Sequence, residues 1–333
     1  MGGSWKGGEG KLFMERINDL GQKEESVQLG EPQEMEINRA EKDSIMFYQG
    51  GGRNVRLPSR EQALRDFYNA DNAYMVINTL LMPGIENEKA RMINEEKKFD
   101  LILLEHMDEL IKIYRRLYSA MCKYAMSHKD KSRHYTYRID RMNSLHFLQF
   151  GQLFSYMSTT QYKEKNTYFC DKDGLLLLEI SAPVEIEHID INAVLGGESM
   201  FFHENEILYA PFIHLDMEAL EMTEEEKTYR DRNQNPPMAK YRLHLRSSSI
   251  TARQIDFESP DVTKLYEELL NPLAIEDIRH VWSSYMGGIE PKQDIVKRYV
   301  AWKRNFRAYI KLCCAGIKWN LLFTKNGMPS PSF

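Results

Sequence analysis

Apolar positions fall into three textures along the chain. Between residues 59 and 130 they recur at three- and four-residue steps. The clearest run is Leu103, Met107, Leu110, Ile111, Tyr114, Leu117, Tyr118, Met121 and Ala125, one face of a helix with charges on the other. Ser59 followed by Gln62 has the form of a capping box for an earlier helix through Ala63, Phe67, Ala70 and Tyr74, which Pro83 and Gly84 end. The texture then changes to short runs rich in aromatic and β-branched residues at 135–139, 153–160, 175–180, 207–213 and 239–245, and these predict strands. Residues 218–237, with Glu224, Glu225 and Glu226 and then Asn235, Pro236 and Pro237, read as a charged, solvated hairpin loop between two of the strands. Helical spacing returns after about residue 255. Ser259 and Pro260 supply the N-cap and first position of a helix reaching Leu270, and Glu290 and Pro291 open a long amphipathic helix through Trp302, Phe306, Tyr309 and Ile317.

This pattern divides the chain into a loosely ordered arm with at most short elements (1–58), an N-terminal helical region (59–130), a mostly β domain (131–252) and a C-terminal helical region (253–333). Composition narrows the class. With 42% hydrophobic and 28% charged residues in 333, a packed core is expected and collagen-like or wholly disordered chains are excluded. A net charge of −5 offers no global basic field, so no nucleic-acid partner is expected. The longest apolar runs, 101–104 and 175–178, fall far short of the ~20 residues of a membrane span. The N-terminus has no apolar signal core, and Lys6 stands where a myristoylation motif needs Ser or Thr. Cys122, Cys170, Cys313 and Cys314 form no CxxC pair and have no His at metal spacing, so neither zinc nor a disulfide framework is expected and a reduced compartment fits. Between 290 and 325 nine Lys/Arg face two acidic residues, which reads as a solvated helix face or as a dock for an acidic partner.

Several common catalytic motifs are absent: GxxxxGK[ST], GxGxxG, HExxH and GxSxG. The β region does hold Arg138 on its first strand, Ser158, Thr159 and Thr160 on a strand 20 residues on, and Glu204 and Glu206 entering another strand, Glu206 lying 48 residues beyond Ser158. Singly, each is an ordinary structural feature: a strand Arg in an ion pair, a good β tripeptide, two carboxylates on a wet face. In this order and spacing they resemble the R-S-E signature of the mono-ADP-ribosyltransferases, the branch holding clostridial binary-toxin enzymatic subunits and vertebrate ecto-enzymes. Residues 201–211 resemble that family's acceptor loop running into its ExE strand, and the resemblance covers about residues 133–250. Ile139 follows Arg138 where many members have Gly or Arg, and the central motif is STT in place of STS.

The resemblance implies an α+β fold: an ADP-ribosyltransferase-like core of two packed, mostly antiparallel sheets, flanked by helical regions at both ends. It implies NAD as substrate, no metal, and transfer of ADP-ribose to a protein acceptor. Cleaving the bond from ribose C1′ to the pyridinium nitrogen expels a neutral leaving group, so the transition state resembles the oxocarbenium of glycoside hydrolysis. On this reading Arg138 grips the diphosphate. Ser158 lines the nicotinamide pocket and orients Glu206, Thr160 braces the site from the same strand face, and Thr159 and Thr160 count with them among the NAD-binding residues. Glu206 bonds the ribose 2′-hydroxyl and faces the developing cation. Glu204 shares its side of the strand by alternation and, as in arginine-modifying members, orients and deprotonates a guanidinium. Phe201 matches the acceptor-loop aromatic, which stacks on that guanidinium. In the loop after the STT strand Phe169 (or Tyr168) stacks on the nicotinamide and Lys172 lies near the phosphates. The alternatives are an NAD glycohydrolase and an inactive binding module whose helical flanks carry the function. The expected location is cytoplasmic, or the cytosol of a target cell reached without a classical signal peptide.

Overall fold

The computed structural model describes residues 36–49, 73–83, 106–128, 134–142, 144–162, 174–199, 201–230 and 234–325. The architecture is α+β. Helix α1 (Arg39–Tyr48) opens the described chain; the Asn38 side chain accepts from the Glu41 N–H and the Glu41 carboxylate accepts from the Asn38 N–H, so both ends of a capping box are made. It lies within the stretch read as a loose arm. The short run of Ile45, Met46, Phe47 and Tyr48 is what fixes it, because all four side chains are buried. Helix α2 (Ala73–Leu81) and the amphipathic α3 (Met107–Ser127) follow, and α3 buries the face its periodicity predicts, including Leu110, Tyr114, Leu117, Tyr118 and Met121. The proposed capping box at Ser59 lies outside the described residues.

Eight strands come next, interrupted by short helices: β1 (His134–Arg141), α4 (Ser144–Leu148), β2 (Gln152–Leu153), β3 (Met157–Thr160), β4 (Leu175–Ala182), β5 (His188–Asp190), α5 (Ile191–Leu195), β6 (Glu206–Tyr209), β7 (Ile213–Ala219), α6 (Glu224–Thr228) and β8 (Pro237–Ser248). Their spatial order is β2-β7-β8-β4-β1-β3-β6-β5, and every pairing is antiparallel except β4 with β8. The two sheets expected from the resemblance are linked into one ladder. The halves meet where β1 and β3 share a single register pair, Tyr137 opposite Thr160. Two predicted strand runs are divided. The 153–160 run breaks between β2 and β3, where the Tyr156 N–H turns to the Asn78 side chain at 3.1 Å. The 207–213 run breaks at Pro211, which has no N–H to donate, and at Phe212, whose φ is +67°. The charged 218–237 excursion does join an antiparallel pair, β7 and β8, but it is not wholly solvated. Thr223 and Glu226 form a capping box for α6, and the Glu226 carboxylate turns inward to Lys240 at 3.0 Å, which also meets Glu179 at 2.8 Å.

Three helices close the described chain: α7 (Pro260–Leu269), α8 (Pro272–Met286), which the spacing did not resolve as a separate element, and α9 (Gln293–Lys325). One apolar core runs from Ile45 on α1 through the sheet to Ala315 on α9, with Tyr114, Tyr118, Tyr209, Tyr299 and Phe306 at its centre. Much of the basic surplus on α9 is used internally. Lys318 meets buried Glu187 at 2.5 Å, Arg298 meets Asp277 at 2.6 Å, Arg307 donates to the Met82 carbonyl at 2.6 Å, Lys311 stands over the Phe212 ring, and Lys303 is only 1% exposed. Among the described residues no helix is long and apolar enough to cross a membrane.

Candidate active site

Strand β3 lies between β1 and β6, and this placement gathers the motif residues. Thr160 stands opposite Glu206 and Ser158 opposite Leu208. From β1, Arg138 reaches across: its guanidinium donates to the Ser158 carbonyl at 2.7 Å and pairs through Nε with Asp140 at 2.9 Å. Asp140 is itself held by the Ser144 hydroxyl and the Arg141 N–H, each at 2.8 Å. The guanidinium is thus a fixed charge, only 14% exposed, docked on the backbone of the STT strand.

Glu206 is the first residue of β6 and is 6% exposed. Burial pushes its pKa up, opposed by hydrogen bonds from the Ser158 and Gln49 side chains and by the charge on Arg138. Thr159 and Thr160 fasten the neighbouring backbone. The Thr159 hydroxyl donates to the Ile207 carbonyl at 2.9 Å and the Thr160 hydroxyl to the Glu204 carbonyl at 2.7 Å.

Glu204 is not on the strand. It ends a short 3₁₀ turn (Phe202–Glu204), and Asn205, with φ 48° and ψ 54°, turns the chain through the left-handed region before β6 begins. Strand alternation therefore does not set its direction, as the spacing suggested; an Asn tolerates the left-handed region better than most residues, which permits the turn. The two carboxylates nevertheless interact. Glu204 is half-buried, and burial first, with the Glu206 charge second, pushes its pKa up to about 7.

The turn presents two aromatics. Phe201 is half-buried, whereas Phe202 is 56% exposed and its carbonyl accepts from Asn192 at 2.7 Å. Phe169, Tyr168 and Lys172 lie outside the described residues. Two residues that the spacing did not single out belong to the group. Gln49, at the C-terminal end of α1, donates from Nε2 to Glu206 Oε2 at 3.2 Å. Tyr48, 4% exposed, feels the charges of both Glu206 and Arg138 and accepts from the Asn78 side chain at 3.0 Å. Asn38 and Glu41 ahead of the apolar run were the available signal for that helix; nothing local marked where its end would dock.

Among the described residues no group of three or more His, Cys, Asp or Glu is placed to hold a metal. A cavity of about 430 Å³ between α8 and α9, lined by Asn271, Asp277, Arg298, Tyr299 and Trp302 among others, shares no residue with the Glu206 group. What the group can do follows from its parts: a buried carboxylate, oriented by two side-chain donors and balanced by one fixed cation, faces a developing positive charge well, while a second carboxylate titrating near neutrality can accept a proton.

No protein-family model and no curated protein matches the chain. Among solved structures it is similar to Plx2a, an ADP-ribosyltransferase toxin from Paenibacillus larvae, at 13% identity over 63% of this chain and 88% of that one, with a TM-score of 0.36. It is also similar to Vis toxin, an ADP-ribosyltransferase from Vibrio splendidus, at 17% identity over 58% of this chain and 90% of that one, with a TM-score of 0.29.

Proposed function

We propose that the chain is an NAD-dependent mono-ADP-ribosyltransferase that modifies arginine side chains of a protein. The observation that carries this is Glu206, a buried carboxylate bonded by the Ser158 and Gln49 side chains, with the Arg138 charge and Glu204 beside it. The bond between ribose C1′ and the nicotinamide nitrogen breaks, and its electron pair leaves with neutral nicotinamide. Glu206 takes a hydrogen bond from the ribose 2′-hydroxyl and stabilises the oxocarbenium electrostatically. A guanidine nitrogen of the acceptor then bonds to C1′, and its proton passes to Glu204. Burial suits Glu204 to this task, since a base titrating near neutrality is both available and strong enough to matter. Arg138, its orientation already set by Asp140, would grip the diphosphate. Exposed Phe202, together with Phe201, would meet the acceptor. The helical flanks would choose the acceptor protein, and the acidic-partner expectation then rests on exposed Lys292, Lys297 and Arg304 of and around α9.

The test is incubation with NAD labelled in its ADP-ribose part, together with a cell lysate. Label transferred to protein, stable to conditions that cleave ester linkages and abolished by Glu206→Gln, supports the proposal. Free ADP-ribose with no labelled protein would replace it by an NAD glycohydrolase, and no NAD consumption would overturn both.

A further inference from the structure

Gln49 combines three properties that a merely structural amide does not need. It is 6% exposed, its Nε2 lies 3.2 Å from Glu206 Oε2 and 3.4 Å from the Ser199 hydroxyl, and its Oε1 is buried with no hydrogen-bond partner among the described residues. The orientation of the amide is not arbitrary. A carboxylate accepts only, so the N–H end must face Glu206 and the carbonyl must point away from it. An unpaired buried carbonyl is expensive, and one kept beside a reactive carboxylate marks a place for a donor from outside the chain.

The amide is also firmly held. At its far end α1 is fixed to α3 by buried Lys123, whose Nζ lies 3.0 Å from Glu41, and by the Ser119 hydroxyl, which donates to Glu41 at 2.6 Å. At the near end Tyr48 packs on Tyr156 and Tyr74 and accepts from Asn78, while the Gln49 N–H closes the helix on the Ile45 carbonyl at 3.1 Å. A side chain carried on such a support keeps the sub-ångström placement that substrate recognition requires.

On the reading of Glu206 as the carboxylate that takes the ribose 2′-hydroxyl, we propose that Gln49 Oε1 accepts the 3′-hydroxyl of the same ribose, so that amide and carboxylate together grip the cis-diol. The two ends of the carboxamide lie only about 2.3 Å apart, so an Nε2 held on Glu206 keeps Oε1, though turned away from the carboxylate, within reach of a hydroxyl next to the one that Glu206 takes. Gln49 then has two roles. It positions Glu206 and binds the sugar, and it distinguishes a ribose from a 3′-deoxyribose.

The test uses the full-length chain, nicotinamide release as the readout, and two substrates: NAD and its analogue lacking the 3′-hydroxyl of the nicotinamide ribose. The wild type is expected to lose about tenfold in kcat/KM on the analogue, the effect of one well-placed hydrogen bond. Gln49→Leu is expected to lose at least as much on NAD and nothing further on the analogue. Gln49→Met keeps the length of the side chain and serves if the leucine variant fails to fold, and the wild-type comparison needs no variant at all. Equal use of both substrates by the wild type, or an undiminished preference in Gln49→Leu, overturns the inference and leaves the proposed activity standing. Faster cleavage by Gln49→Leu overturns it too, because the amide would then be obstructing Glu206. A wild type that releases no nicotinamide from NAD removes the activity, and the inference with it.

Discussion

Glu204 offers the sharpest test of the proposed division of labour, because the two carboxylates should respond differently to pH. Burial, with the Glu206 charge in second place, raises Glu204 to about 7 from an ordinary 4.5. A base with that pKa is about one-tenth ionised at pH 6 and about nine-tenths ionised at pH 8. On the proposed mechanism, transfer to a guanidine needs Glu204 as the base, whereas cleavage of NAD by water needs only Glu206. The ratio of modified guanidine to free ADP-ribose, measured with arginine methyl ester as acceptor, should therefore rise about ninefold between pH 6 and pH 8 and level off above. In Glu204→Gln the ratio should be low throughout and should not rise. A flat ratio in the wild type, or the same rise in Glu204→Gln, would refute the assignment of Glu204 as base. Stability supplies a check that does not depend on activity. The folded-state pKa lies above the unfolded one, so the folded chain keeps a proton that the unfolded chain has already lost. The ionised carboxylate therefore costs stability, little at pH 4.5 and progressively more as pH rises through 7. The full shift would amount to about 3 kcal/mol, and the half-exposed position reduces this to about 1–2 kcal/mol. Glu204→Gln should accordingly unfold at higher urea than the wild type at pH 8 and show no advantage near pH 4.5. No gain at pH 8 would mean that the site solvates this carboxylate well and would remove the basis for its raised pKa.

Two further predictions follow from the same contacts. Ser158→Ala removes one of the two side-chain hydrogen bonds that oppose the burial of Glu206, so the acid limb of kcat/KM for NAD cleavage should move up by about one pH unit. A lowered rate with the limb unmoved would place the effect of Ser158 elsewhere. Lys318→Met strips the cation from Glu187, which is 3% exposed and among the described residues keeps the Tyr118 hydroxyl, at 3.2 Å; unfolding in urea should show a loss of about 3 kcal/mol, largely restored when Glu187→Gln is added. A loss of only a few tenths would show that water reaches that carboxylate.

The elements with sustained patterns could be read directly. The three- and four-residue spacing from Met107 to Ala125 is α3, and the aromatic and β-branched runs around Arg138, Ser158, Leu176, Leu208 and Leu243 are β1, β3, β4, β6 and β8. Shorter or compound features escaped. β5 spans only His188–Asp190, too few residues for alternation to show. α8 follows α7 after only a short turn, in a stretch where no helix was read between Leu270 and Glu290. Within the candidate site, Arg138, Ser158 and Glu206 could be singled out only because their order and spacing resemble the R-S-E signature; taken singly, each is an ordinary strand residue. Glu204 was legible as a carboxylate and not as a geometry: its direction comes from a 3₁₀ turn and a left-handed Asn205 where strand alternation had been assumed.

Gln49 marks the boundary between the two kinds of knowledge. It meets Glu206 across 157 residues of chain, and no local pattern of charge or periodicity distinguishes it from the other glutamines near the N-terminus. Residue order alone settles which chemical groups are available and which segments bury an apolar face, since both depend on neighbours a few positions away. Which groups share a site is a matter of packing. The end of α1 reaches Glu206 because Ile45, Met46, Phe47 and Tyr48 leave water by packing into the shared core with α2 and α3, and that burial draws the following amide inward with them.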